Sequence, residues 1–331
     1  MTKCVRVFAG FLVALVFAAC CAVQNSEATE DKPSASPKRV TEPGRTETTR
    51  PETLKAEPND IAAEKTKSAS AALFDEKFAP ILKKYVDENG LVDYTKLKRK
   101  RREVRRVLDE LAKLNRKEYD SWRQEEKIAF WINVYNMKLL NIIVENYTKE
   151  YSRWRVLVPG WGPYSIRHID KNIGGIRKQK LTVMYEEFTL AIIEERFFRK
   201  EFGDPRILLV AAGATLSGPP LRNEPYYGDR LWEQVNEQIK KFLRTPQGIK
   251  IERDKQRVYL SELFGRKWYS KDFARKYRTN MKFKDQPAAI QAVLNLVSIY
   301  ADERTVSFLL KENYTVKFMR YDWNLNDKSR K

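Results

Sequence analysis

The chain of 331 residues carries 63 Lys and Arg against 44 Asp and Glu, a formal net charge of +19. Its three cysteines, Cys4, Cys20 and Cys21, stand at the N-terminal end, and His168 is the only histidine. Disulfides, thiolate nucleophiles, Cys-ligated zinc and multi-histidine metal centres are thereby excluded from the rest of the chain; an all-carboxylate Mg²⁺ or Ca²⁺ site stays open, but with no EF-hand-like Asp/Asn/Gly ladder to argue for one, no metal or cofactor is expected.

Lys3 and Arg6 precede an apolar stretch from Val7 to Ala19, the length of a signal-peptide core and too short to span a bilayer. It ends Phe17-Ala18-Ala19-Cys20, which resembles a bacterial lipobox with Cys20 as the lipidated mature N-terminus. On that reading residues 1–19 are the signal and the chain is held in the cell envelope by a lipid anchor. Cleavage after Ala22 or Ala28, giving a soluble secreted or periplasmic chain, is the competing reading. Residues 20–71 hold no aromatic residue and, as large aliphatics, only Val23, Val40, Leu54 and Ile61. Such a stretch buries too little apolar surface to offset its ordering entropy and reads as a flexible tether. Almost the whole positive excess therefore belongs to residues 72–331, which have the length and aromatic content to build one core.

Within that domain Phe74, Phe78, Ile81, Leu82 and Tyr85 recur at helical spacing, and Asp87-Glu88-Asn89-Gly90 ends the helix. Val92 to Tyr94 reads as extended, and Leu97 to about Leu114 as one basic helix. Ser121 with Gln124 predicts a capping box for a long helix to about Tyr147. Trp154 to Asn172 reads as irregular and Leu181 to Phe198 as helix. Ile207 to Ala212, bounded by Asp204-Pro205 and Gly213, reads as a buried strand apolar on both faces, leading into the turn Ser217-Gly218-Pro219-Pro220. A helix follows from about Asp229 to Leu243, then a strand at Ile249 to Ile251 and short pieces at Tyr259 to Leu263 and Tyr269 to Phe273. Helices at Ala288 to Tyr300 and Arg304 to Lys311 and a strand at Thr315 to Met319 complete the chain. The sum is an α+β, helix-rich single domain around a small sheet.

Five blocks, Gly90-Leu91-Val92-Asp93-Tyr94, Ala129 to Asn136, Ser217 to Arg222, Val258 to Ser261 and Tyr321 to Asn326, resemble the domain-of-unknown-function family 547, found in bacterial exported proteins and in plants. Members of that family commonly carry a Cys inside the Ser-x-Pro-Pro turn, another just before it, and a His in the preceding helix within an Ile-Glu-His triplet. The resemblance implies a thiol hydrolase or transferase centre in the papain and transglutaminase manner. In this chain the two Cys positions fall on Gly218 and Gly213, and the His position is placed on Phe188. Glycine supplies no nucleophile and phenylalanine no base, so the resemblance implies a fold with a degenerate catalytic centre, a pseudoenzyme.

Two hydroxyls flank that centre, and a Ser217, His168, Asp170 triad is the catalytic alternative, alongside Thr215 as a second nucleophile candidate. Asn133 and Asn136 share a helix face and either present amides to a pocket or satisfy loop backbone. Arg222 and Glu224 either bind a ligand carboxylate or pair with each other. The run Lys98, Arg99, Lys100, Arg101, Arg102, Arg105 and Arg106 surrounds a helix whose buried stripe is Val104, Val107, Leu108 and Leu111. It would give salt-sensitive affinity for an anionic lipid, wall polymer or glycan, and Arg177, Lys178 and Lys180 extend it. No nucleic acid is expected for an exported chain. Trp154, Trp161 and Tyr164 either stack on carbohydrate or pack in the core. The functional reading is an exported, lipid-anchored binding or scaffold module with a basic surface for anionic partners. The alternative is a hydrolase or transferase using Ser217 and His168.

Overall fold

The computed structural model describes residues 69–148, 164–265, 267–279 and 281–330; the signal stretch with Cys20, most of the tether, Trp154 and Trp161 lie outside them. The expected first helix forms as Ala69–Leu73, a π-helical turn Phe74–Phe78, and Ala79–Tyr85, together α1, with Phe74, Phe78, Ile81, Leu82 and Tyr85 buried. Asp87 Oδ1 then accepts the N–H groups of Asn89 and Leu91, at 2.9 Å each, and Gly90 closes the turn at φ +78°. Gly90 also meets the backbone of Leu221, because a Cβ on it would stand 2.9 Å from Leu221 N.

The basic helix is broken in two, α2 Tyr94–Arg99 and α3 Arg101–Leu111, with Lys100 out of helical geometry between them. Asp93 caps the first piece by accepting from Lys96 N–H at 2.9 Å, so Tyr94, expected to be extended, begins a helix instead. Each piece buries its own apolar residues against the long helix α5 that follows. Ser121 does not cap α5. Its hydroxyl donates to Glu118 O inside α4 (Arg116–Ser121), and the carboxylate of Glu126 accepts the N–H of Arg123 at the head of α5. Helix α5, Gln124–Asn146, is the pillar of the fold. Residues 128–144 are buried on every side, and α2, α3 and three later helical segments pack around it.

Three readings of the middle of the chain are corrected. Ile166–Asn172 is not irregular but a helix, α6, capped by Ser165 Oγ accepting from Arg167 N–H. Leu181 to Phe198 is not one helix. It opens as the antiparallel hairpin β1 Lys180–Val183 and β2 Glu186–Thr189, with Leu181 opposite Phe188, and only Leu190–Ile193 and the π-helical Glu194–Glu201 (together α7) are helical. Leu181 and Val183 are buried and alternate with exposed Lys180 and Thr182, the two-residue period of a strand. The hairpin tip, Met184 and Tyr185 at φ 51° and 62°, donates its N–H groups to Leu111 O and Ala112 O, so it caps the C-terminus of α3.

The third correction concerns Ile207 to Ala212, which is a 3₁₀ helix at Pro205–Leu209 and a turn, not a strand. Pro205 presets helical φ and Asp204 Oδ1 accepts from Arg206 N–H at 2.9 Å, which together start a helical turn. The run is as buried as expected, Ile207 to Val210 being 2% exposed or less. An apolar run of six residues without alternation fits either geometry, and the cap decides.

The rest follows the expected order: α8 Leu231–Arg244, β3 Ile249–Glu252, β4 Arg257–Leu260, the short α9 Glu262–Gly265, α10 Lys267–Tyr277, α11 Ala288–Tyr300, α12 Glu303–Leu309 and β5 Thr315–Phe318. Strand β4 pairs antiparallel with β3 and parallel with β5. Two small sheets beside a helical majority make this an α+β domain.

After β5 an extended tail, Tyr321 to Asp327, ties distant parts together. Its backbone exchanges hydrogen bonds with Ile166, Val92, Ala214 and Leu216, all between 2.8 and 3.3 Å. Its side chains do the same: Asn326 accepts from Tyr94 Oη and donates to Gly90 O, and Asp327 accepts from Tyr147 Oη at 2.6 Å.

Candidate functional site

The turn at residues 211–220 is held in part by one acceptor from α5 and by closure upon itself. Asn136 Oδ1 accepts the N–H of Ala212 at 2.8 Å, and Gly213 N–H donates to Pro219 O at 3.2 Å. That closure presses Gly213 onto Gly218: an added Cβ on either would lie 2.7 Å from the other's Cα. On Gly218 it would also lie 2.9 Å from Thr215 Oγ1. Both positions implied for cysteine are thus neighbours in space, and both are filled by backbone.

The hydroxyls beside them are engaged. Thr215 Oγ1 shares a 2.8 Å hydrogen bond with Tyr321 Oη. Ser217, 2% exposed, donates to Gln247 Oε1 at 3.0 Å and accepts the N–H of Asp322 at 2.7 Å. Its proton therefore points at an amide oxygen that has no basicity to take it. His168 is buried on α6, and Asp170 Oδ1 accepts the N–H of Ile176 at 2.7 Å.

Phe188 stands elsewhere. It lies on β2, wholly buried, edge-on to Trp131 at 4.9 Å between ring centroids. The helix before the turn is α7, and its Ile-Glu pair is Ile193-Glu194. Phe188 thus stands on a strand and not on that helix, where Glu195 follows the pair; Glu195 is exposed and paired with Lys200 at 3.3 Å.

Next to Gly213 opens a cavity of about 380 Å³. Leu139, Leu190, Leu208, Ala211 and Leu263 give it apolar walls, and Tyr135, Arg167, Asp170, Arg177, Glu194 and Trp323 give it polar points. Sequence reasoning named Asp170 only as a triad member and missed Glu194, Arg167 and Trp323 as pocket residues. The signal for Glu194 was a carboxylate on the apolar face of α7, one residue after buried Ile193 and three before buried Phe197. Tyr135 Oη donates to Glu194 Oε1 at 2.8 Å and Arg177 Nη2 to Oε2 at 2.5 Å. Burial pushes the Glu194 carboxyl above its ordinary value, a shift that Arg177 and Tyr135 offset only in part.

Asn133 and Asn136 brace backbone. Asn133 forms two 2.8 Å bonds with Tyr226, accepting its N–H and donating to its carbonyl. Arg222 pairs with Glu224 and, at 2.7 Å, with Glu237. Along α2 and α3, Lys98 donates to Tyr147 O, Lys100 pairs with Glu103 and Arg105 with Glu145. Arg99, Arg101, Arg102 and Arg106 are exposed and have no carboxylate partner among the described residues. Arg177 and Lys180 are spent on Glu194 and Glu187, which leaves Lys178 as their contribution to a basic surface.

No group of three or more His, Cys, Asp or Glu side chains among the described residues is placed to hold a metal. Nor is any helix among them long and apolar enough to cross a membrane. Residues 119–243 match the model of the family described as "Protein of unknown function, DUF547", a span that includes the Ala129 to Asn136 and Ser217 to Arg222 blocks. No curated protein and no solved structure matches the chain.

Proposed function

We propose that this domain binds a ligand without transforming it, in the cavity beside Gly213, and that the chain is exported and lipid-anchored through Cys20 with the domain carried on its tether. The contact between Gly213 and Gly218 carries the first part. A nucleophile needs a side chain, and here two backbones fill the space it would occupy. What remains around the cavity is what binding sites are made of: apolar walls with a few placed polar groups. The exposed arginines of α2 and α3 support a second contact, to an anionic surface outside the cytoplasm.

The alternative, a hydrolase or transferase using Ser217 and His168, is separated by a broad serine-directed fluorophosphonate probe applied to the full chain. Ser217 is expected to stay unlabelled under conditions that label a control serine hydrolase. Covalent modification at Ser217 would overturn the non-catalytic reading. Export and anchoring are tested by radiolabelled palmitate: incorporation that disappears in Cys20→Ala supports the anchor, and incorporation unchanged by that substitution removes it.

A further inference from the structure

Arg167 differs from every other charged group of the cavity. Glu194 and Arg177 neutralise each other, and Asp170 Oδ1 is held by the N–H of Ile176. Arg167 lies with its guanidinium 4.1 Å over the ring of Trp323 and has no carboxylate partner among the described residues. Stacking occupies the flat face of a guanidinium, whereas its N–H donors lie in its plane and point outward from the edge. The group is held over the ring, and its side-chain N–H donors have no hydrogen-bond partner among the described residues. It lines the cavity beside Gly213 and also an adjoining hollow that it shares with Gln247, Glu262, Arg320 and Asp322.

A planar fork of this kind matches two oxygens carrying one negative charge. A phosphate dianion would call for a second free cation; among the described residues lining the cavity the other guanidinium, Arg177, is committed to Glu194, and Arg320 stands in the adjoining hollow with the carboxylates Glu262 and Asp322. Behind Arg167 the walls are Leu139, Ile166, Leu190, Leu208 and Leu263. A volume of about 380 Å³ lies at the small end of ligand pockets.

We propose that the cavity takes a small amphipathic carboxylate, its apolar body against the leucine walls and its carboxylate bridged by the in-plane donors of Arg167 stacked on Trp323. The proposal rests on the binding-module reading and names the ligand class for that site.

Isothermal titration of the full chain with decanoate, below its micellar concentration, tests it. Decanoate is expected to bind, acetate to show no measurable binding, and decanol to bind more weakly than decanoate. Arg167→Gln is expected to weaken decanoate at least about tenfold, the loss of a hydrogen-bonded charge contact, while leaving decanol binding and the melting temperature unchanged. Arg167→Lys, which keeps the charge and loses the fork, is expected to fall between. Absence of decanoate binding, equal binding by Arg167→Gln, or tighter binding of decyl phosphate would each overturn the assignment. Covalent labelling of Ser217 by the fluorophosphonate probe would instead sink the non-catalytic reading whatever decanoate does, so the two failures are distinguishable.

Discussion

Gly213 and Gly218 approach so closely that neither tolerates a Cβ in place: it would lie 2.7 Å from the other's Cα, and in the case of Gly218 also 2.9 Å from Thr215 Oγ1. Gly218→Ala is expected to cost about 1–3 kcal/mol, the range for forcing atoms into a packed interior, read as a fall in urea midpoint. Gly218→Cys is expected to destabilise at least as much and to confer no thiol-dependent hydrolysis, since Phe188 and exposed Glu195 supply no imidazole. A stable, active Gly218→Cys protein would contradict the account of the site.

Asn133 closes both hydrogen bonds of the Tyr226 backbone inside the core. Asn133→Leu leaves a buried N–H and a buried C=O without their partner, at roughly 1–3 kcal/mol for each group. Chemical denaturation should show the loss, and ligand binding in whatever fraction remains folded should be unchanged. An equally stable variant would mean that the loop is held elsewhere.

Glu194 sets a pH dependence whose sign runs opposite to that of most carboxylates. Burial raises its folded-state value above the ordinary 4.5, so the folded chain keeps this proton to higher pH than the unfolded chain does. Its contribution is complete below about pH 4.5 and is lost as pH rises through the raised value. Glu194→Gln keeps the shape and removes the titration. It is expected to be at least as stable as the parent near pH 7, with a flatter stability profile above pH 4.5, measured as urea midpoints across pH. Arg177, its former partner, has a side chain 59% exposed and is readily solvated.

Tyr185 sits at φ 62° in the hairpin tip and is 79% exposed, so its side chain contributes little to offset the left-handed backbone. Tyr185→Gly is expected to raise stability by about 1 kcal/mol, the cost of a non-glycine residue in that region, while keeping the N–H bond to Ala112 O. A lower melting temperature would show that the ring packs in solution.

The exposed arginines of α2 and α3 predict salt-sensitive adhesion. Vesicles of anionic phospholipid should bind the full chain at low salt, release it as salt rises, and lose it when Arg99, Arg101, Arg102 and Arg106 are all changed to Glu. Binding indifferent both to salt and to charge reversal would remove these residues from the interface.

Much of the fold was legible because periodicity is local. The apolar stripe of α1, the long buried run of α5 and the boundaries of α11 follow from spacing that any reader of the chain sees. The hairpin at residues 180–189 and the 3₁₀ turn at 205–209 were misread for the same physical reason. Short apolar runs fit two geometries, and the choice falls to contacts outside the run. For the hairpin the deciding contact is the end of α3, and for the turn it is the cap from Asp204.

The site divides the same way. The missing sulfur and the lone imidazole are properties of composition, settled before any folding. That the two glycines touch and that Glu194 faces inward to Tyr135 and Arg177 were decided only by tertiary packing, and Arg167 is laid on Trp323 because the tail at residues 321–327 meets the segments near Val92, Ile166 and Ala214. Those partners are separated by more than a hundred residues along the chain, and hydrogen bonds at such range leave no periodic trace in a sequence.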